Sequence, residues 1–209
     1  AVVNNTLLST SDKTFMTHRQ LRNALDSCGQ EEREECLRAI ADEYNSFDSC
    51  AMWKLVPLPA GAVCHRMMLL GKIKLFPDGR KEKTKFRAVI VGSDYQKGRD
   101  YEADTYAPCP QIVTARCMIH DAVVNQKQCK KCDVRQAFTF GKADRRAFVH
   151  CPPGKKCTYD ADGKPLVFEI SGNCYGSPSA PCRWHVEIHN AMVKHGFRQS
   201  TTDACLYIF

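Results

Sequence analysis

The sequence predicts an α+β fold, and three observations carry that reading. Between Gln30 and Phe47 the residues Cys36, Leu37, Ile40, Ala41, Tyr44 and Phe47 recur at spacings of three and four. Glu31, Glu32, Glu34 and Glu35 precede them in the first turns, where carboxylates complement the helix dipole. Two short apolar runs, 63–76 and 86–91, flank Pro77-Asp78-Gly79, a turn in which Pro presets φ and Gly accepts positive φ, so they read as an antiparallel hairpin. Helical and extended segments then interleave without a strict β-α-β repeat, which argues against a doubly wound parallel sheet.

The remaining elements follow in chain order. Residues 1–12 are small, polar and aperiodic and read as a lead-in arm. Trp53 to Pro59 is an extended run stopped by prolines. After the polar stretch 96–105 and the Pro-Cys-Pro at 108–110, Ile112 to Val124 carries helical apolar spacing. A short strand is expected around Asp133, with Cys132, Val134, Ala137 and Phe138 about it. A further strand, 147–151, ends at Pro152-Pro153-Gly154. Asp160-Ala161-Asp162-Gly163 reads as a turn before the strand 166–170; the Glu that would close a calcium loop is absent. A last helix opens at Pro181, where a missing N–H costs nothing, and runs to Gly196 as its C-terminal stop, before a strand over 204–209.

The 209 residues are 44% hydrophobic and 25% charged, which disfavours disorder, collagen and coiled-coil rods. No apolar stretch approaches the ~20 residues of a membrane helix. The opening Ala-Val-Val-Asn-Asn has neither an initiator Met nor a signal-peptide pattern, which reads as a soluble chain with room for it to be a trimmed piece of something longer. The formal charge of +7 suits a polyanionic partner without requiring one. Thirteen cysteines are spread along the chain, and most are expected to be small buried hydrophobes in an intracellular, reducing compartment: cytoplasm, nucleus or an organelle. Cys129 and Cys132 have the one metal-like spacing, but no second Cys-x-x-Cys partners them, and both are expected to face the core from the strand leading into Asp133.

Eight segments occur in an order that resembles the reverse transcriptase domain of copia-type LTR retrotransposons. They are EEREECLRAIADEYNSF, AMWKLVPLPAG, GKIKLFPDGRKEKTKFRAVIVG, GRDYEADTYAPCPQIVTAR, CDVRQAF, VHCPPG, CYGSPSAPCRW and HGFRQSTTDACLYIF, together covering about residues 13–209. The resemblance implies the fingers and first part of the palm of a right-hand polymerase, with a fingers-like region over 13–125 and a partial palm over 126–209. It implies an RNA or DNA template-primer as partner and Mg²⁺ as cofactor.

The same resemblance implies roles for individual residues. Asp133 resembles the family's first metal-binding and catalytic aspartate, with the backbone carbonyl of Val134 as a further hard oxygen ligand; an exposed aspartate in a turn is the plain alternative. Lys85 and Arg87 resemble the cations that grip an incoming nucleotide's triphosphate, a task suited to ammonium and guanidinium groups. Phe138 stands where the family carries an aromatic steric gate against a ribose 2′-hydroxyl, and Tyr175 and Gly176 resemble the segment shaping the nucleotide pocket. Lys83, Lys97 and Arg99, with Lys85 and Arg87, are expected to contact nucleic-acid phosphates. A solvated basic hairpin, a core phenylalanine and a loop-to-helix turn are the corresponding plain readings.

There are departures too. The family's second basic residue in the fingers strand is Val91 here, its pocket glutamine is Ser179, and its Lys-Trp of the first hairpin strand reads Met68-Leu69. The chain stops at Phe209, ahead of the place for a Tyr-x-Asp-Asp hairpin. One carboxylate is too little charge to hold two metal ions, so this stretch is expected to be inactive alone. A second reading stays open beside the enzyme fragment: a domesticated element serving as a structural subunit, with protein partners in place of nucleic acid.

Overall fold

The computed structural model describes residues 14–209 apart from 103, 135 and 144; the proposed arm over 1–12 lies outside the described residues. Among the described residues four helices and three small sheets give the expected α+β class. Strand β1 (Thr14–Met16) pairs with β4 (Met67–Leu75), which pairs with β5 (Lys81–Ile90), all antiparallel. A second sheet runs β2 (Trp53–Val56), β7 (Val167–Ile170), β6 (Ala147–Val149), β3 (Cys64–His65), its last pairing parallel. Strands β8 (Arg198–Gln199) and β9 (Tyr207–Ile208) form a third.

The β4–β5 hairpin forms for the reason its turn suggested. Gly79 takes φ +84°. Its N–H donates to the Phe76 carbonyl at 2.9 Å, and the Asp78 carboxylate accepts from the Arg80 N–H at 3.0 Å. β5 begins at Lys81 rather than near Phe86, because the register with β4 continues through the polar residues to the turn.

Helix α2 (Gln30–Ser49) buries Cys36, Ile40, Tyr44 and Phe47, close to the predicted stripe. It lies on β5, and its end meets Trp53, whose ring centroid is 4.8 Å from Phe47 and 4.6 Å from Phe168. Lys155 covers that aromatic cluster, its ammonium 4.7 Å from the Trp53 centroid. Burying rings such as Phe47 and Phe86 supplies about 2–3 kcal/mol each. Helix α1 (His18–Ser27) was not expected, although Thr17 and Gln20 form a capping box and Leu21 and Leu25 are buried one turn apart.

Helix α3 (Ile112–Val124) matches its predicted span but buries no residue; Ile119 and Val123 are 63% and 72% exposed. Helix α4 (Ala180–Lys194) ends as predicted at Gly196, with φ +88°. There Phe197 donates to the Met192 carbonyl and Gly196 to that of Val193, two bonds that satisfy otherwise open carbonyls. The turn at 160–163 is confirmed by the Gly163 N–H bond to the Asp160 carbonyl at 3.1 Å. The final strand is shorter than expected and is confined to β9.

Three expectations fail. No strand forms around Asp133: 127–134 is irregular, and residues 137–140 make a single 3₁₀ turn. A strand needs a partner for its N–H and C=O groups, and the described residues offer this segment none. Cys129 and Cys132 are accordingly exposed and do not face the core. The cysteines as a whole are not mostly buried either. Only Cys36 and Cys174 are buried, five are exposed, and all thirteen are free thiols. Most of them fall in turns and loops, and of those only Cys174 is enclosed by packing.

Candidate nucleotide and nucleic-acid site

Alternation along β5 sorts its side chains. Thr84, Phe86, Ala88 and Ile90 are buried, while Lys83, Lys85 and Arg87 point to the opposite face. The register sets Lys72 directly across from Lys85, and Lys74 across from Lys83. Five cations therefore share one side of the hairpin, and like charges placed opposite each other repel. Burial first, then the nearby Arg87 and Lys74, hold the Lys85 ammonium below the usual lysine range, against Glu43. Lys72 and Lys74 were missed in the sequence, although counting the register back from the Pro77-Asp78-Gly79 turn finds them.

Arg87 leads from this face to the segment before α4. Its guanidinium carbon lies 4.9 Å from the centroid of Tyr175, and the Tyr175 ring meets Phe138 edge-on with centroids 5.4 Å apart. Burial raises the Tyr175 phenol, Arg87 opposes that, and Glu43, Cys174 and the Asp133 carboxylate add to it. The fold thus brings Lys85, Arg87, Phe138, Tyr175, Gly176 and Asp133 into one neighbourhood.

Backbone bonds hold that neighbourhood together. The Ile90 N–H donates to the Tyr175 carbonyl at 2.7 Å, so the loop docks on the free edge of β5. Gly176 has φ +92°, and a Cβ there would lie 1.9 Å from the Ile90 carbonyl oxygen, so only glycine fits. Asn173 is buried and donates to the carbonyls of Gly141 and Lys142, tying the Phe138 turn to the same loop. Gln136, in the left-handed region at φ +51°, donates its side chain to Ser46 of α2.

The other predicted residues lie elsewhere or are already engaged. Lys97 and Arg99 belong to the loop after the 3₁₀ turn Gly92–Asp94, not to the hairpin. Lys97 is exposed. Arg99 grips the Asp100 carboxylate at 2.6 Å and donates to the Asp94 carbonyl, while Asp100 also faces the buried His65 at 3.4 Å. Asp133 and Val134 are exposed, Val134 by 46%. Among the described residues no three or more His, Cys, Asp or Glu side chains cluster to hold a metal ion. Asp133 and the Val134 carbonyl are hard oxygen donors suited to Mg²⁺, but they make an incomplete set.

In this α+β fold a hairpin face of five cations leads through Arg87 and the edge-on rings of Tyr175 and Phe138 toward the Asp133 carboxylate. Residues 50–209 match the model of the family described as reverse transcriptase (RNA-dependent DNA polymerase), and the chain belongs to that family. It is similar to the retrovirus-related Pol polyprotein from transposon TNT 1-94 of Nicotiana tabacum, 24% identical over 84% of this chain and 13% of that protein. The Pol polyproteins from transposons RE1 and RE2 of Arabidopsis thaliana are each 28% identical, over 84% and 82% of this chain and 12% of theirs. The chain thus spans about an eighth of the length of the curated relatives it matches. No solved structure matches it. No helix among the described residues is long and apolar enough to cross a membrane.

Proposed function

We propose that this chain forms the nucleotide- and template-binding part of a copia-type RNA-directed DNA polymerase, with 13–125 as fingers and 126–209 as the beginning of the palm. The observation that carries the reading is the continuous path from the hairpin cations through Arg87 and Tyr175 to Phe138 and Asp133. Lys85 and Arg87 would receive the triphosphate of an incoming nucleotide and, with no nucleotide bound, phosphates of the template-primer. Lys83, with Lys72 and Lys74 beside it, would follow phosphates of the template-primer, and Lys97 and Arg99 would extend that track only where Arg99 exchanges Asp100 for a phosphate.

The ring of Phe138, braced edge-on by Tyr175, is placed to limit the space beside a bound sugar and so to favour deoxynucleotides. Asp133 and the Val134 carbonyl would contribute ligands to Mg²⁺, which, when bound, activates the primer 3′ oxygen and stabilises charge on the leaving pyrophosphate. With that donor set incomplete, residues 1–209 bind but do not polymerise.

A salt titration of RNA–DNA duplex binding tests the reading. The log–log slope should be about 0.7–0.9 per phosphate contact. Replacing Lys85 and Arg87 together with Ala should weaken binding and lower the slope by roughly 1.5, because two fewer phosphates are neutralised. Identical slopes for parent and double variant would defeat the assignment.

A further inference from the structure

We infer that Glu43, on α2, is a positioning and charge-setting residue for the cationic face formed by Lys85 and Arg87, an inference that rests on the nucleotide-binding reading of that face. β5 is the outer strand of its sheet, so the N–H groups of Thr84, Ala88 and Ile90 on its free edge need partners from outside the sheet. Each has one. Glu35 accepts from Thr84 at 3.1 Å, Glu43 from Ala88 at 3.0 Å, and the Tyr175 carbonyl from Ile90 at 2.7 Å. The spacing is geometric: eight helical residues rise about 12 Å, and four strand residues about 13 Å. α2 therefore lies along the edge and seals it with two carboxylates, the second of them beside the loop that carries Tyr175.

The two carboxylates differ in their surroundings. Glu35 also binds the Lys81 ammonium, and its bonds to Lys81 and Thr84 together outweigh burial and lower its carboxyl. Glu43 makes no ion pair within 4 Å among the described residues. Burial raises its carboxyl, against the Ala88 bond and the more distant Lys85 and Arg87. The titratable groups facing it are Lys85 and Arg87 from β5, Cys174 and Tyr175 from the loop, and Tyr44 from its own helix. It is thus an anion held at the strand's edge next to two cations that are free to take a phosphate. Its bond to Ala88 fixes the strand residue following Arg87, and its charge partly offsets what the pair offers to a ligand.

The test is calorimetric binding of inorganic triphosphate to the 209-residue chain. Glu43→Gln keeps an acceptor for Ala88 and removes the charge, so at neutral pH it should bind triphosphate roughly three- to ten-fold more tightly than the parent, with no fall in melting temperature. Glu43→Ala removes the acceptor as well, and should melt lower and bind more weakly than Glu43→Gln. On acidification the gap between parent and Glu43→Gln should close above the usual carboxylate range, as Glu43 takes up its proton. Equal affinity of parent and Glu43→Gln, alongside a clear loss in the Lys85→Ala/Arg87→Ala variant, would overturn the role of Glu43 alone. No loss in that double variant would overturn both readings.

Discussion

Replacing Gly176 with Ala should cost far more than the same change at Gly163, and the difference measures how tightly the Tyr175 loop is held against β5. Both glycines have positive φ, +92° and +76°, so both substitutions bear the ~1 kcal/mol strain of a left-handed alanine. At Gly163 a Cβ meets nothing within 4 Å. At Gly176 it would sit 1.9 Å from the Ile90 carbonyl oxygen. Ordinary C···O contacts begin near about 3.3 Å, so the backbones must part by roughly 1.4 Å. That displacement breaks the 2.7 Å bond from the Ile90 N–H to the Tyr175 carbonyl and leaves a buried N–H unpaired, adding about 1–3 kcal/mol. The expected totals are about 1 kcal/mol for Gly163→Ala and about 2–4 kcal/mol for Gly176→Ala. Thermal melts followed by circular dichroism should show midpoints lowered by roughly 3 °C and 6–12 °C. Triphosphate binding should fall only for Gly176→Ala, since Tyr175 carries the ring over which Arg87 lies. Equal losses at the two sites would refute the claim that close backbone approach, rather than dihedral strain, fixes the loop.

Two further outcomes follow from other parts of the molecule. Glu169 is buried between Arg146 and Lys54; the bond from Arg146 lowers its carboxyl most, burial opposes, and Lys54 lowers it further, to about 2. Its folded value lies below the ordinary 4.5, so it contributes stability above that pH and loses it as pH falls toward 2. With both cations largely exposed, Glu169→Gln should cost about 1–2 kcal/mol in urea melts at pH 7 and almost nothing near pH 2. In primer extension on an RNA template, residues 1–209 should add no nucleotide with Mg²⁺ or Mn²⁺, because Asp133 alone cannot assemble a two-metal site; templated incorporation abolished by Asp133→Asn would show that reasoning wrong.

Elements whose partners lie nearby in sequence were legible; those whose partners lie far away were not. α2 showed its stripe, the hairpin its turn, and α4 its glycine stop, because each signal is a local balance of dihedral preference and periodicity. α1 had a local signal in its capping box that went unread. Asp133 is a different case. Val134, Ala137 and Phe138 satisfy the composition of a strand, but a strand is a pairing, and no residue within 127–140 reveals whether an edge is there to receive it. The cysteines failed for a related reason: burial belongs to the packed neighbourhood, so Cys36 on the α2 stripe is enclosed while Cys132, equally apolar, is not.

The site divides along the same line. Lys85 and Arg87 were singled out by the resemblance alone; alternation along the strand puts them on one face, and the same register, counted across the hairpin, adds Lys72 and Lys74. Tyr175 and Gly176 were found as a segment, but their pairing with Ile90 spans 85 positions or more and has no sequence mark. Glu43 was least legible of all. At i+7 from Cys36, i+3 from Ile40 and i−4 from Phe47 it lies along the apolar stripe, and a lone carboxylate there does not say which group it meets. It becomes part of the site only because β5 has an unpaired edge, because α2 runs along that edge, and because a rise of eight helical residues matches four of the strand. The sealing of the edge and the placing of the cations proposed to meet phosphate are thus one arrangement: the N–H groups that must be satisfied for the sheet to be stable belong to residues that alternate with those whose side chains face outward.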